Sequence, residues 1–183
     1  MLSEESKQLC RVFAEVLEYP GGSVHETAAE CLSALDASLP DIADQMRPFV
    51  TFIDSQKRGS LEELYSETFD LAPGSTLYIG YHLFGETPKR SSFLVRLEEA
   101  YQFLGFESGT ELADHLCVML RFMAVAEDGE FVLPLLEESI LPVLDKMAAE
   151  LQKNKNGYAP AVSSLRLFLR QLSRKLAKVG GLA

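Results

Sequence analysis

Three histidines, three cysteines and several adjacent acid pairs are the side chains of this sequence best suited to chemistry. His25, His82 and His115 are scattered, and neither their spacing nor a His-Glu-x-x-His run marks a metal site. His115 and Cys117 supply a base and a nucleophile, but two residues apart on a helix they point to different faces. Cys10, Cys31 and Cys117 are odd in number and form no Cys-x-x-Cys pair, so the expectation is three buried thiols without disulfides. The carboxylates of Glu62-Glu63, Glu98-Glu99 and Glu137-Glu138 diverge on a helix and read as solvated faces rather than acid–base pairs. There is no Gly-x-Ser-x-Gly elbow and no glycine-rich phosphate loop; Gly21-Gly22 and Gly180-Gly181 read as helix stops. Such an inventory suits binding better than catalysis.

The 183 residues fit one domain, and about 70% of the surface of a chain this long is buried on folding, enough for a core without staples. Apolar residues make up 47% and charged residues 24%, which excludes a disordered chain. Seventeen basic against 27 acidic residues give a formal charge of −10. That balance repels phosphate backbones and suits a basic partner. The first ten residues are acidic and polar, so no secretory leader is expected. The longest nearly apolar stretch, 116–126, contains Arg121 and is too short to span a membrane. The expectation is a soluble protein of the cytoplasm.

Helical periodicity runs through almost every segment. Leu9, Val12, Phe13, Val16 and Leu17 form a first stripe, closed by Tyr19-Pro20-Gly21-Gly22. Ala28, Cys31, Leu32 and Leu35 form a second. Asp41 is placed to cap a third helix, with a kink or break expected at Pro48. Ser60 and Glu63 read as a capping box ahead of Leu61, Leu64, Tyr65 and Phe69. Residues 76–84 read as a short helix, and 93–104 as a longer one stopped by Gly105. Residues 111–126 are apolar nearly all round and predict a central core helix stopped at Asp128-Gly129. A long stripe from Leu133 to Leu151 carries a second expected kink at Pro142. The last helix runs from Val162 to Val179 with Arg166, Arg170, Arg174, Lys175 and Lys178 on an exposed face. No alternating strand pattern appears. The sequence predicts an all-α, single-domain bundle of roughly eight helices over 1–183.

Three stretches resemble the TorD/DmsD/NarJ family of molybdoenzyme maturation chaperones, and the NarJ branch most. Tyr65-Ser-Glu-Thr-Phe-Asp70 is similar to the branch's Tyr-x-x-Thr-Phe-Asp stretch. Tyr81-His-Leu-Phe-Gly-Glu86, followed by Arg90 and then Phe93-Leu-Val-Arg-Leu97, resembles its His-x-x-Gly-Glu loop and following helix. Glu111-Leu-Ala-Asp-His-Leu116, continuing to Leu120-Arg-Phe-Met123, resembles the Glu-x-Pro-Asp-His signature. Ala113 stands where that signature has Pro, and Met119 where many members carry Glu. The resemblance covers about a third of the chain, in matching order and spacing.

The resemblance implies a TorD-like helical fold and a role without catalysis. A chaperone of this kind binds the apo catalytic subunit of a molybdopterin oxidoreductase at a basic N-terminal or twin-arginine-type segment. It holds that subunit for cofactor insertion and assembly or export. No stably bound cofactor is implied, only transient contact with molybdopterin guanine dinucleotide. Acting as a monomer or a helix-swapped dimer, it needs neither nucleic acid nor membrane insertion. Carried onto this chain, the peptide site is Tyr65, Phe69, Asp70, His82, Glu86, Glu111, Asp114 and His115. Tyr65 and Phe69, one turn apart, are groove wall or plain core. Asp70, at a helix end that disfavours a carboxylate, needs a cation from the client or a nearby lysine. His82 and Glu86 are spaced to pair with each other; otherwise Glu86 faces the client or is a solvated loop acid. Glu111 reads as a first-turn residue of the core helix. Asp114 accepts from the client or the cofactor's guanine, or else from the preceding loop. Arg121, on a buried helix, requires a carboxylate, and Asp70 is the expected partner; breaking such a buried pair costs about 3–5 kcal/mol. A helical adaptor without a molybdoenzyme client, and a helical enzyme using carboxylates, are the two other readings.

Overall fold

A computed structural model describes residues 2–126 and 129–180. Its helices are α1 (Glu4–Val16), α2 (Val24–Ser38), α3 (Pro40–Ser55), α4 (Arg58–Tyr65), α5 (Ile79–Phe84), α6 (Pro88–Phe103), α7 (Leu116–Val125), α8 (Gly129–Pro134), α9 (Leu141–Lys153) and α10 (Ala159–Gly180). Two π-helical segments continue them, Ser66–Asp70 after α4 and Leu135–Ile140 between α8 and α9. Joined where they run on unbroken, these make nine rods among the described residues, close to the expected eight. No strand occurs there beyond one isolated antiparallel bridge, between Tyr78 and His115. The fold is all-α.

The apolar stripes decide the packing. Leu9, Val12, Phe13 and Val16 turn α1 against α7 and α2; α3 then bridges α2 and α10, and α9 lies along α10. Helix α7 is the centre, with eight of its ten residues buried. Its remaining sides are covered because every face offers apolar area to a neighbour. Buried side chains from Leu2 to Leu176 join in one contiguous core. The three thiols are buried and free, and burial pushes Cys10 and Cys31 up to about 12. No described helix is long and apolar enough to cross a membrane.

Several local expectations are corrected. Helix α3 starts at Pro40 after Leu39, so Asp41 lies inside its first turn rather than capping it. It runs unbroken through Pro48: one amide bond is forfeited, and buried Met46, Phe49 and Ile53 hold the turns on both sides. Helix α4 begins at Arg58, so Ser60 and Glu63 are interior residues and form no capping box. At Pro142 the rod continues without a break: a π segment lies immediately ahead of it, and Pro142, with no amide to donate back to the preceding turn, follows directly in α9. Helix α6 stops as expected, with Gly105 at φ +64°, a left-handed conformation that favours glycine. The expected stop at Asp128 and the glycine at 181 lie outside the described residues.

The largest correction concerns residues 111–115. They form no helix; α7 begins only at Leu116. Instead, residues 77–79 and 114–116 pair edge to edge. The Ile79 amide donates to the Asp114 carbonyl at 2.9 Å and the Leu116 amide to the Leu77 carbonyl at 2.8 Å. This non-local staple places the resembling stretches beside one another.

Candidate functional site

A cleft of about 480 Å³ opens where the end of α1, the π segment after α4, the 77–78 edge and the 110–121 stretch meet. Its floor is apolar: Phe69, Leu77 and Cys117 are buried there. Its walls carry Tyr19, Tyr65 and Tyr78, and its rim carries Glu18, Asp70, Glu111 and Arg121. Three carboxylates against one guanidinium leave the rim acidic.

Tyr65 is fixed at both ends. Its hydroxyl donates to the Leu17 carbonyl at 3.1 Å, and its ring sits edge-on to Phe69 with centroids 5.0 Å apart and to Tyr19 at 5.4 Å. Burial pushes its phenol well above the ordinary range. Phe69 in turn rests on Tyr158, at 5.0 Å. So both residues are core and wall at once. The π segment that carries Phe69 and Asp70 ends one residue before the Ala72-Pro73 break. Asp70 closes that segment, is exposed, and makes no ion pair among the described residues.

On the facing wall the Tyr78 hydroxyl donates to Glu111 Oε2 at 2.8 Å, and the Tyr78 ring stands edge-on to His115 at 5.1 Å. Burial and the Glu111 carboxylate raise the Tyr78 phenol to about 12. Glu111 is exposed, with its second oxygen free of any hydrogen bond among the described residues. His115 precedes α7, and burial lowers its pKa below 6.5, keeping the ring neutral. Its Nδ1 is buried without a partner among the described residues.

The expected site residues therefore divide. Tyr65, Phe69, Asp70, Glu111 and His115 line one cleft. Asp114 does not: it is fully buried and accepts from Arg90, Nε to Oδ2 at 2.9 Å and Nη2 to Oδ1 at 3.3 Å. Its structural reading holds, with α6 rather than the preceding loop as its partner. His82 and Glu86 lie outside the cleft lining and do not pair with each other. The His82 Nε2 atom meets the Thr76 carbonyl at 2.7 Å, and burial lowers the ring's pKa. Glu86 is exposed. Arg121 pairs with Glu18, not Asp70, and both partners are about half exposed. A shallow cleft of about 410 Å³, lined by Glu15 and Tyr19 among others, lies on the other side of that pair. The cleft residues that sequence reasoning did not assign to the site are Glu18, Tyr19, Leu77, Tyr78 and Thr110, together with Cys117 and Arg121, which it read as a buried thiol and an ion-pair member. One signal was present: Glu18, like Asp70, follows a helical run just before a proline break.

No group of three or more His, Cys, Asp or Glu side chains among the described residues is arranged to hold a metal. What the cleft can do is bind: an apolar floor takes a hydrophobic face, and carboxylates and tyrosine faces take cations.

Comparison with known proteins follows the same line. The chain is similar to the nitrate reductase molybdenum cofactor assembly chaperone NarJ of Escherichia coli strain K12, with 29% identity over 152 residues. The NarJ of Escherichia coli O157:H7 matches equally. The aligned part covers 81% of this chain, and the chain spans 64% of the length of these relatives. The family model described as nitrate reductase delta subunit matches residues 32–164, which include Tyr65, Asp70, Glu111 and His115, and the chain belongs to that family.

Proposed function

We propose that this chain is a maturation chaperone for a molybdoenzyme, one that grips a basic helical segment at the N-terminus of the apo catalytic subunit. The observation that carries the reading is the meeting of two resembling stretches, through Tyr65, Phe69 and Asp70 on one side and Glu111 and His115 on the other, in one acidic cleft. The apolar side of the client helix lies on Phe69, Leu77 and the Tyr65 ring. Its cations meet Asp70 and Glu111, neither of which has a competing cation among the described residues, and the tyrosine faces add cation–π attraction. Glu18 contributes less, because Arg121 already neutralises it.

The grip is reversible by design of its chemistry. Rim carboxylates exposed to water attract at long range and steer association, while the small apolar floor limits the hold. An affinity between about micromolar and nanomolar, roughly −8 to −12 kcal/mol, suits capture followed by release. The same carboxylates suit the phosphates of molybdopterin guanine dinucleotide poorly, and Asp114 is committed to Arg90. Contact with that cargo is therefore transient and made through the client, and the chaperone performs no catalysis. The single contiguous core supports one domain over 1–183, acting in the cytoplasm where apo subunits await their cofactor. The working unit is a monomer or a helix-swapped dimer.

The test is calorimetric titration with synthetic peptides of about 15–20 residues. They copy the N-termini of the molybdopterin oxidoreductase catalytic subunits encoded in the same genome. One of them binds in the stated range at low salt. Failure of every such peptide to bind overturns the reading.

A further inference from the structure

We propose that Arg90 is the positioning residue of the cleft, holding Glu111 in place for a client cation through Asp114 and Tyr78; the proposal rests on the peptide-binding reading above. Arg90 lies on α6 and does not line the cleft. It nevertheless touches both sides of the staple that builds the cleft wall. Its guanidinium grips the fully buried Asp114 through two nitrogens, at 2.9 and 3.3 Å. The same group lies 5.6 Å from the centroid of the Tyr78 ring and 5.9 Å from that of Tyr81.

Asp114 and Tyr78 are the two residues that fix Glu111. Tyr78 binds its carboxylate through the hydroxyl at 2.8 Å. Asp114, three residues along, anchors the backbone of the same segment, with its carbonyl taking the Ile79 amide. Glu111 itself lies in no helix and is exposed, so nothing regular holds it. Remove the clamp and the acid loses its register. Gly80 reports how closely the parts fit: a Cβ there would lie 2.6 Å from Asp114 Oδ2, 3.0 Å from Phe93 and 3.3 Å from Arg90. A buried ion pair is a poor way to add stability, since apolar residues of the same volume serve as well. It is a good way to fix one geometry, because a bidentate guanidinium admits only one.

The experiment is a double-mutant cycle on the full chain, read as affinity for the titrated peptide. Arg90→Lys keeps the charge, loses the fork, and weakens binding about tenfold. In a Glu111→Gln background the same change has less than about a twofold effect, because the acid being positioned is gone. Gly80→Ala, whose Cβ would press on Asp114 Oδ2 at 2.6 Å and so disturb the clamp chiefly from its carboxylate side, behaves in the same way. Additive losses, or parent affinity in both Arg90→Lys and Gly80→Ala, overturn the proposal. Amide hydrogen exchange at Ile79 and Leu116 reads the clamp without any peptide: both amides exchange faster in each variant. If the parent binds no peptide, the chaperone reading fails, and unchanged protection at both amides then overturns the positioning role on its own terms.

Discussion

Removing two rim charges without removing shape is the sharpest probe of the cleft. Asp70→Asn with Glu111→Gln leaves side chains of the same size and takes away two of the three carboxylates. Both residues are exposed, so the high-dielectric end of Coulomb's law applies, about 1 kcal/mol for a cation at 4 Å, against about 4 kcal/mol at an effective dielectric of 20. Two such losses total about 2 kcal/mol, or roughly 30-fold in Kd. The assay is calorimetric titration of a basic helical peptide at about 0.1 M and about 1 M salt, where the Debye length falls from roughly 10 to 3 Å. Parent and double variant differ roughly 30-fold at low salt and converge at high salt. An unchanged Kd at low salt, or parallel salt dependences, refutes the argument, because either result means that these two acids never meet the ligand's charge.

Two further predictions test the surroundings. Arg121→Met breaks a pair whose partners are about half exposed, so urea denaturation shows a loss below about 1 kcal/mol, whereas a loss above about 3 kcal/mol restores the buried pair expected from sequence. Burial lowers the pKa of His82, with Lys146 as a lesser cause, and of His115, against the opposing pull of Glu111, Asp114 and Glu18. The unfolded chain therefore takes up protons at these rings that the folded chain refuses. Their contribution is complete above about pH 6.5 and is lost as pH falls from there toward the lowered folded values. Parent stability drops as pH falls below about 6.5, and His82→Gln with His115→Gln flattens that part of the profile; a flat parent profile there refutes burial of the rings in their neutral form.

The stripes were legible because burial repeats with the helical period: Leu9 to Leu17, Phe93 to Tyr101 and most of the apolar wrap of α7 landed in the core or against it, whereas Leu104, the last residue of the α6 stripe, is exposed. Helix starts were less so. Ser60 and Glu63 have capping chemistry, yet α4 begins two residues earlier, because Leu61 and Tyr65 need a turn ahead of them to reach the core. Residues 111–115 read as helix because acids before an apolar run imitate a helix start. What they do is pair with residues 77–79, a contact across more than thirty positions that leaves no local trace. Arg121 shows the same limit. The requirement for a carboxylate was readable from a charge on an apolar helix. Whether Asp70 or Glu18 meets it depends on how α1 crosses α7, which periodicity does not encode.

Asp70 joins stability to binding in a way that a plain surface acid does not. It closes the π segment, where unpaired carbonyls already concentrate negative potential, and a carboxylate there costs about 0.3–1 kcal/mol. No cation of the described chain offsets that cost. A ligand cation at this point is attracted by the carboxylate and by the helix end together, so the chain carries a small electrostatic penalty until it is bound. Asp70→Lys reverses both terms. The variant is more stable than the parent by about 1 kcal/mol in urea denaturation and binds the basic peptide more weakly than Asp70→Asn does. An ordinary exposed acid would leave stability within about 0.5 kcal/mol and affinity untouched. A variant that is destabilised, or that binds as the parent does, removes Asp70 from the site; one that gains stability while losing affinity shows that the acid is kept for its ligand.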